Sequence, residues 1–196
     1  GLWMMKKIWP WINGLRVEES KAKSSISWCF DACLYISSLI YTLLVRIRLF
    51  LYNRGIVKIK SLPCKVISIG NITVGGTGKT PLTLYLAQEL KGLGYRVAVI
   101  SRGYYGTAEK TGGIVSDGEN VLMKPEEAGD EPYFLALKLK GIPVIVHKDR
   151  FQAGRQAVDT FGSEVLILDD GFQHIRLKRD VNIVLLDSSN PFGNGY

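Results

Sequence analysis

The chain has 196 residues, 46% of them hydrophobic and 22% charged, which suits one folded domain with an appendage and excludes a collagen-like, low-complexity or disordered polypeptide. Three cysteines, with no C-x-x-C pair and no Cys/His cluster, exclude a disulfide framework and a zinc module. The net charge of +7 is unevenly placed: residues 1–65 hold eleven Lys/Arg and three acids, the rest fourteen and fifteen. This asymmetry suggests an anionic partner surface for the N-terminal third, either membrane or nucleic acid.

Residues 1–25, with Trp3, Trp9, Trp11 and several lysines, show no period and stay unassigned. Residues 26–60 read as a membrane-associated helix and a basic linker. The uncharged stretch 32–45 would span only about 21 Å as a helix, short of a bilayer core of about 30 Å. Extending it upstream takes in Asp31, which is expensive at depth. Asp31, Tyr35, Ser38, Thr42 and Arg46 form a polar stripe at helical spacing. Cys33, Ile36, Ile40, Leu44, Ile47 and Leu51 form an opposing apolar face. That pattern predicts an amphipathic helix lying in the membrane interface, its basic end (Arg46, Arg48, Arg54, Lys58, Lys60) on anionic lipid. Packing on the domain is the plainer alternative. A nucleic-acid arm is disfavoured, because the bases flank an apolar helix.

Residues 61–196 read as an α/β core. Residues 66–70 form a buried strand, followed by Thr73, Val74, Gly75, Gly76, Thr77, Gly78, Lys79 and Thr80 before a helix over 81–91. This is the strand–loop–helix setting of a phosphate-binding P-loop. Its glycines let backbone N–H groups converge on an anion, and the helix N-terminus adds positive dipole. Lys79 would serve the β- and γ-phosphates of ATP, and Thr80 would ligate Mg²⁺. The loop departs from G-x-x-x-x-G-K-[ST] at Thr73.

Further strands are expected at 96–101, 143–146, 165–168 and 181–186, with helices at 131–140 and 151–161. A hairpin turn is expected at 116–120, between 113–115 and 121–123. The alternation predicts a P-loop NTPase-like parallel sheet with helices on both faces. Four groups of polar residues fall at strand C-termini, where open α/β sheets place ligands. Besides the P-loop, Asp169 and Asp170 end an apolar strand as a Mg²⁺-binding carboxylate pair does; a loop start or helix cap is the alternative. Arg102, near Tyr104, suits a phosphate or a surface acid equally. After the 143–146 strand, Asp149 suits an N-cap, and Lys148 and Arg150 suit an anionic substrate. On residues alone, Asp130 reads as a helix cap and His174 as structural or exposed.

Together these residues resemble the tetraacyldisaccharide 4′-kinase family of lipid A biosynthesis. The resemblance is carried by the stretch from Ser68 to Pro81, by Ser101-Arg-Gly-Tyr104, by Ala128-Gly-Asp-Glu-Pro132, by Leu168-Asp-Asp-Gly-Phe-Gln-His174 and by the closing Asn190-Pro-Phe-Gly-Asn-Gly. It covers roughly residues 26–196, and the family's P-loop shares the Thr73 departure. It implies a kinase at the cytoplasmic face of the bacterial inner membrane. Such an enzyme moves the γ-phosphate of ATP, with Mg²⁺, to the 4′-hydroxyl of tetraacyldisaccharide 1-phosphate, forming lipid IVA, and has no nucleic-acid partner. It makes Asp130 the base toward the sugar hydroxyl and gives catalytic roles to Lys79 and Asp170. It assigns the metal to Thr80, Asp169 and Asp170, and leaves Arg102, Tyr104, Arg150 and His174 for substrate. It also implies truncation, since the family's chains are longer and include a second, smaller α/β lobe, with the base's histidine partner and part of the nucleotide site lying beyond Tyr196. The rival readings are a membrane-recruited P-loop ATPase or GTPase switch and a soluble carboxylate-activating ligase. A partitioning-type switch would carry a lysine near position 74 or 75, where this chain has Val74 and Gly75.

Overall fold

A computed structural model describes residues 25–54, 59–71, 78–171 and 176–186, with the side chains of 25–32, 48–49 and 51–53 outside the description. The chain divides into two compact units, 1–57 and 58–196. In the first, helix α1 (Ser25–Asn53) runs 29 residues, uninterrupted by glycine or proline, and covers the predicted helix. Its Ser37 and Thr42 hydroxyls donate to the carbonyls of Cys33 (2.7 Å) and Ser38 (2.8 Å), four residues back. The Ile36, Ile40, Leu44 and Ile47 row is exposed, and so are Leu34, Leu39 and Leu43 outside it. The apolar surface is therefore broader than one face, and the polar stripe is narrow. Among the described residues, no helix is long and apolar enough to cross a membrane.

The second unit holds β1 (Lys65–Asn71), α2 (Lys79–Gly92), β2 (Val97–Ser101), α3 (Ala108–Thr111), β3 (Gly113–Ser116), α4 (Pro125–Ala128), α5 (Asp130–Lys138), β4 (Val144–Val146), α6 (Arg150–Phe161), β5 (Val165–Leu168) and β6 (Val181–Leu185). The six strands form one sheet in the order β3-β4-β2-β5-β1-β6. All neighbours run parallel except β3, which is antiparallel to β4. The expectation of a parallel sheet is thus corrected to a mixed one. Residues 102–112 between β2 and β3 contain only the one-turn α3. They are too short a crossover to carry the chain back to the start of a parallel strand. β3 therefore runs back from the end where β2 stopped.

The expected turn at 116–120 is present: Leu122 N donates to Val115 O at 2.7 Å, and Asp117 Oδ1 accepts from the N–H groups of Glu119 and Asn120. Its second arm is only a bridge from Val121 to Ser116. The one-turn helices α3 and α4 were not anticipated in this glycine-rich stretch.

Alternate residues of the central strands point to opposite faces. Ile69, Val97, Val99, Val144, Val146, Val165 and Ile167 pack with Ala87 of α2 and Leu135 of α5. Val66, Ala98, Ile100, Ile145, Leu166 and Leu168 pack with Ala153 and Ala157 of α6. Helices therefore cover both faces, and β2 and β5 are buried along their whole length. Leu166 is fully buried, so Leu166→Ala is expected to cost about 2–5 kcal/mol. A urea melt should show a lower midpoint with an unchanged slope.

Candidate functional site

The C-terminal ends of β1 and β5 are neighbours, because the two strands pair in register from Lys65↔Val165 to Ser68↔Leu168. Whatever follows each strand must meet at that end of the sheet. Gly78 sits in the left-handed region (φ 81°) and starts α2 with no side-chain cap. The first N–H groups of α2 are thus left for an external acceptor. Lys79 Nζ donates to Asn71 Oδ1 (3.1 Å) and lies 3.0 Å from Asp170 Oδ1. The Thr80 hydroxyl donates to Glu131 Oε1 at 2.8 Å. One turn further along α2, Thr83 donates to Asp169 Oδ1 at 3.0 Å.

Asp169 is fully buried, and its Oδ2 has no hydrogen-bond partner. Burial pushes its carboxyl up to about 7; the nearby Glu131 and Asp170 charges add to this, against the Thr83 hydrogen bond and the Lys79 charge. Asp170 adopts a left-handed backbone (φ 52°), unusual for a residue other than glycine. Neither aspartate begins a helix among the described residues, so the cap alternative fails for both.

The oxygen set around Lys79 suits a hard divalent cation such as Mg²⁺, with Thr80, Asp169 and Asp170 as the donors present. Among the described residues, no group of three or more His, Cys, Asp or Glu could hold a metal alone. The orphaned Asp169 Oδ2 is the atom that such a cation, or a water bound to it, would satisfy.

Asp130 is the first residue of α5 and is exposed; the cap position is Gly129, and no side-chain cap bond is formed. The cap role that residues alone suggested is therefore not what this carboxylate does. Its neighbour Glu131 is the residue that sequence reasoning missed. The signal lay beside Asp130, in a second acid of the Gly-Asp-Glu-Pro run. Arg102 is paired with Glu109 (2.7 Å), donates to the Tyr104 hydroxyl (2.8 Å) and lies over the Tyr104 ring. Arg150 begins α6 and is 3% exposed. One of its guanidinium nitrogens donates to His147 O (2.9 Å), while Nε has no partner. Burial, then the Arg102 charge, lower its pKa to about 10 against the pull of Tyr104, Asp169 and Asp170. Asp149 caps α6, accepting from Phe151 N at 3.0 Å, as expected. Thr73, Val74, Gly75, Gly76, Thr77 and His174 lie outside the described residues.

A strand and a helix linked by the Gly-Lys-Thr sequence, whose lysine meets Asp170 just past the adjacent strand, fit a P-loop α/β domain of the phosphate-handling class. Residues 30–196 match the family model described as tetraacyldisaccharide-1-P 4′-kinase, and the chain belongs to that family. It is 53% identical over 167 residues to a tetraacyldisaccharide 4′-kinase of Syntrophus aciditrophicus, a match spanning 85% of this chain and 45% of the relative. A relative of the same description from Desulfatibacillum aliphaticivorans is 50% identical over 165 residues, 84% of this chain and 45% of that protein. Among solved structures, the Aquifex aeolicus protein LpxK in complex with ATP matches with a TM-score of 0.73 and 45% identity, over 81% of this chain and 49% of that one. The chain thus spans a little under half the length of these relatives.

The raised pKa of Asp169 has a thermodynamic consequence. Its folded-state value of about 7 lies above the reference value of 3.8, so the folded state holds the proton more tightly. Stability of the metal-free chain should therefore fall as pH rises from about 4 to about 7, by an amount on the order of a few kcal/mol. Asp169→Asn removes this slope. Urea unfolding in EDTA at pH 5 and pH 8 should show the difference between variant and parent moving in the variant's favour at the higher pH.

Proposed function

We propose that this chain is the nucleotide-binding part of an ATP-dependent kinase that phosphorylates the 4′-hydroxyl of tetraacyldisaccharide 1-phosphate, yielding lipid IVA. The observation that carries the reading is the 3.0 Å approach of Lys79 Nζ to Asp170 Oδ1 at the junction of β1 and β5. Family membership supports the same reading. It also disfavours a membrane-recruited P-loop switch, which the lysine–aspartate contact alone would equally suit.

Position supports the roles of Lys79, Thr80, Asp169 and Asp170, and the family resemblance supports those of Asp130 and His174. Lys79, held by Asn71 and Asp170 in the absence of nucleotide, transfers its charge to the β- and γ-phosphates of ATP when they enter. The N–H groups at the start of α2 and the loop from Thr73 to Gly78 cradle the same anion. Thr80, Asp169 and Asp170 would hold Mg²⁺, which would supply neutralisation of phosphate charge. Asp130 accepts the proton of the acceptor hydroxyl as the phosphoryl group moves. It stands next to Glu131, whose contact with Thr80 fixes the start of α5 beside the P-loop helix. Arg150, with its unsatisfied Nε, and Arg102 with Tyr104 serve the anionic parts of the two substrates, and His174 belongs to the same substrate set.

The expected kinetics separate the base from the charge-bearing groups. In an enzyme of the relatives' full length, Lys79→Ala should lower turnover about 10²-fold or more. Asp130→Asn should lower kcat with little change in the KM for ATP. Asp169→Asn or Asp170→Asn should also shift the Mg²⁺ titration. Unchanged turnover in Lys79→Ala would remove the kinase reading.

The acceptor is a lipid, and α1 supplies the means to reach it. Its apolar exposed surface and basic end suit the interface of an anionic bilayer at the cytoplasmic face of the inner membrane. The back-bonded hydroxyls of Ser37 and Thr42 lower the cost of that setting, because neither needs water. Each Lys/Arg near the surface adds about 1 kcal/mol, so binding should weaken with salt. Flotation with anionic vesicles should be lost in a form that starts at Leu62. Equal flotation of both forms would show that α1 is not the anchor.

A further inference from the structure

Three glycines fasten the loop that follows β2 to the backbone just ahead of Asp130. Gly106 is buried, and a Cβ placed on it would sit 2.7 Å from both Ala128 C and Gly129 N, and closer still to the Glu127 carbonyl oxygen. A Cβ on Gly129 would meet Tyr104 O at 2.6 Å, and one on Gly103 would meet Ala128 O at 2.9 Å. Real Cβ atoms do not approach backbone so closely, so the two segments touch main chain to main chain. Gly103 (φ 73°) and Gly129 (φ 87°) also lie in the region that disfavours side chains. One backbone hydrogen bond crosses the join, Thr107 N to Glu126 O at 3.1 Å, while Gly129 N to Pro125 O (2.8 Å) and Gly106 N to Gly103 O (3.0 Å) brace the segment on either side of it.

We infer that Gly106 and Gly129 are positioning residues for the Asp130 carboxylate, and that loop 102–107 is the mould against which it is set. Asp130 is exposed on the first turn of its helix and has no capping bond to orient it. Its placement therefore depends on the peptide that precedes it. That peptide, 128–129, is the one Gly106 touches. The same loop carries Arg102 and Tyr104, linked by a 2.8 Å hydrogen bond. The inference rests on the reading of Asp130 as the base.

The test compares two glycines in the full-length enzyme. Gly106→Ala must displace the peptide before Asp130. Gly118→Ala is strained at φ 100° and crowds Ile142 N at 2.9 Å, but at the opposite end of the sheet. Both should lower Tm. Only Gly106→Ala should lower kcat, by about 10- to 100-fold as a misplacement of about 1 Å does, with the KM for ATP nearly unchanged. Asp130→Asn is run beside them. If it keeps full kcat, the base reading itself fails. If it loses kcat while Gly106→Ala keeps it, or if both glycine variants lose kcat in proportion to Tm, the positioning role fails. Should Gly106→Ala not fold, hydrogen exchange on the parent protein decides. The amides of Gly106, Thr107 and Gly129 should open as a single unit, and independent opening would overturn the inference.

Discussion

The site depends on one pairing, the parallel register of β1 against β5. Four consecutive residue pairs fix it, and every one of the β5 residues involved is buried. A slip of one residue would turn each side chain to the other face and exchange the two cores that α2 and α6 cover. The register is therefore strongly specified by apolar burial. The polar chemistry inherits it. Asn71 ends β1 and Asp170 lies two residues past the end of β5, and Lys79 spans them at 3.1 and 3.0 Å. Rigid strands, with loops only at their tips, are the arrangement that holds a charge constellation to fractions of an ångström.

The parts of this fold that were readable in the residues are those governed by local pattern. Short β-branched runs such as Val97–Ser101 and Val165–Leu168 mark buried strands. Leu82, Leu86 and Leu90 mark the packed side of α2. Lys79 and the Asp169–Asp170 pair follow from motif and context. Other features depend on approach between distant segments, and no window of sequence contains them. The direction of β3 follows from how short its connection is relative to the place it must reach. Glu131 is silent until α5 is laid beside α2 and its carboxylate meets Thr80. The cap role for Asp130 was drawn from a true rule about helix starts, but Gly129 holds the cap position instead. Gly103 and Gly106 belong to a glycine-rich, polar part of the sequence, yet both are buried where two backbones touch. Composition reports that a turn is possible; only the fold reveals that a side chain is excluded.

The exposed surface of α1 and the buried surface of the α/β unit obey opposite rules. In the unit 58–196, large apolar side chains such as Ile100, Ile145 and Leu166 are fully buried, as in any water-soluble core. Along α1, Leu34, Ile36, Leu39, Ile40, Leu43 and Leu44 are each more than half exposed. A contiguous apolar surface of that extent is not a stable end state in water and marks an interaction site. The Ser37 and Thr42 hydroxyls are already satisfied by carbonyls four residues back, so neither opposes apolar surroundings.

Asp169 shows what the site costs the fold. A carboxyl with no exposure, one oxygen unpartnered and two further acids nearby is an arrangement that stability alone would not retain. Asp170, beside it, adds a left-handed backbone that a glycine would adopt with less strain. Both strains lie at the point where Lys79 and α2 deliver positive charge. A cation brought in with phosphate would answer the open oxygen, the raised proton affinity and the crowding of like charges together. Relief of these costs would then add to the binding energy of such a ligand set.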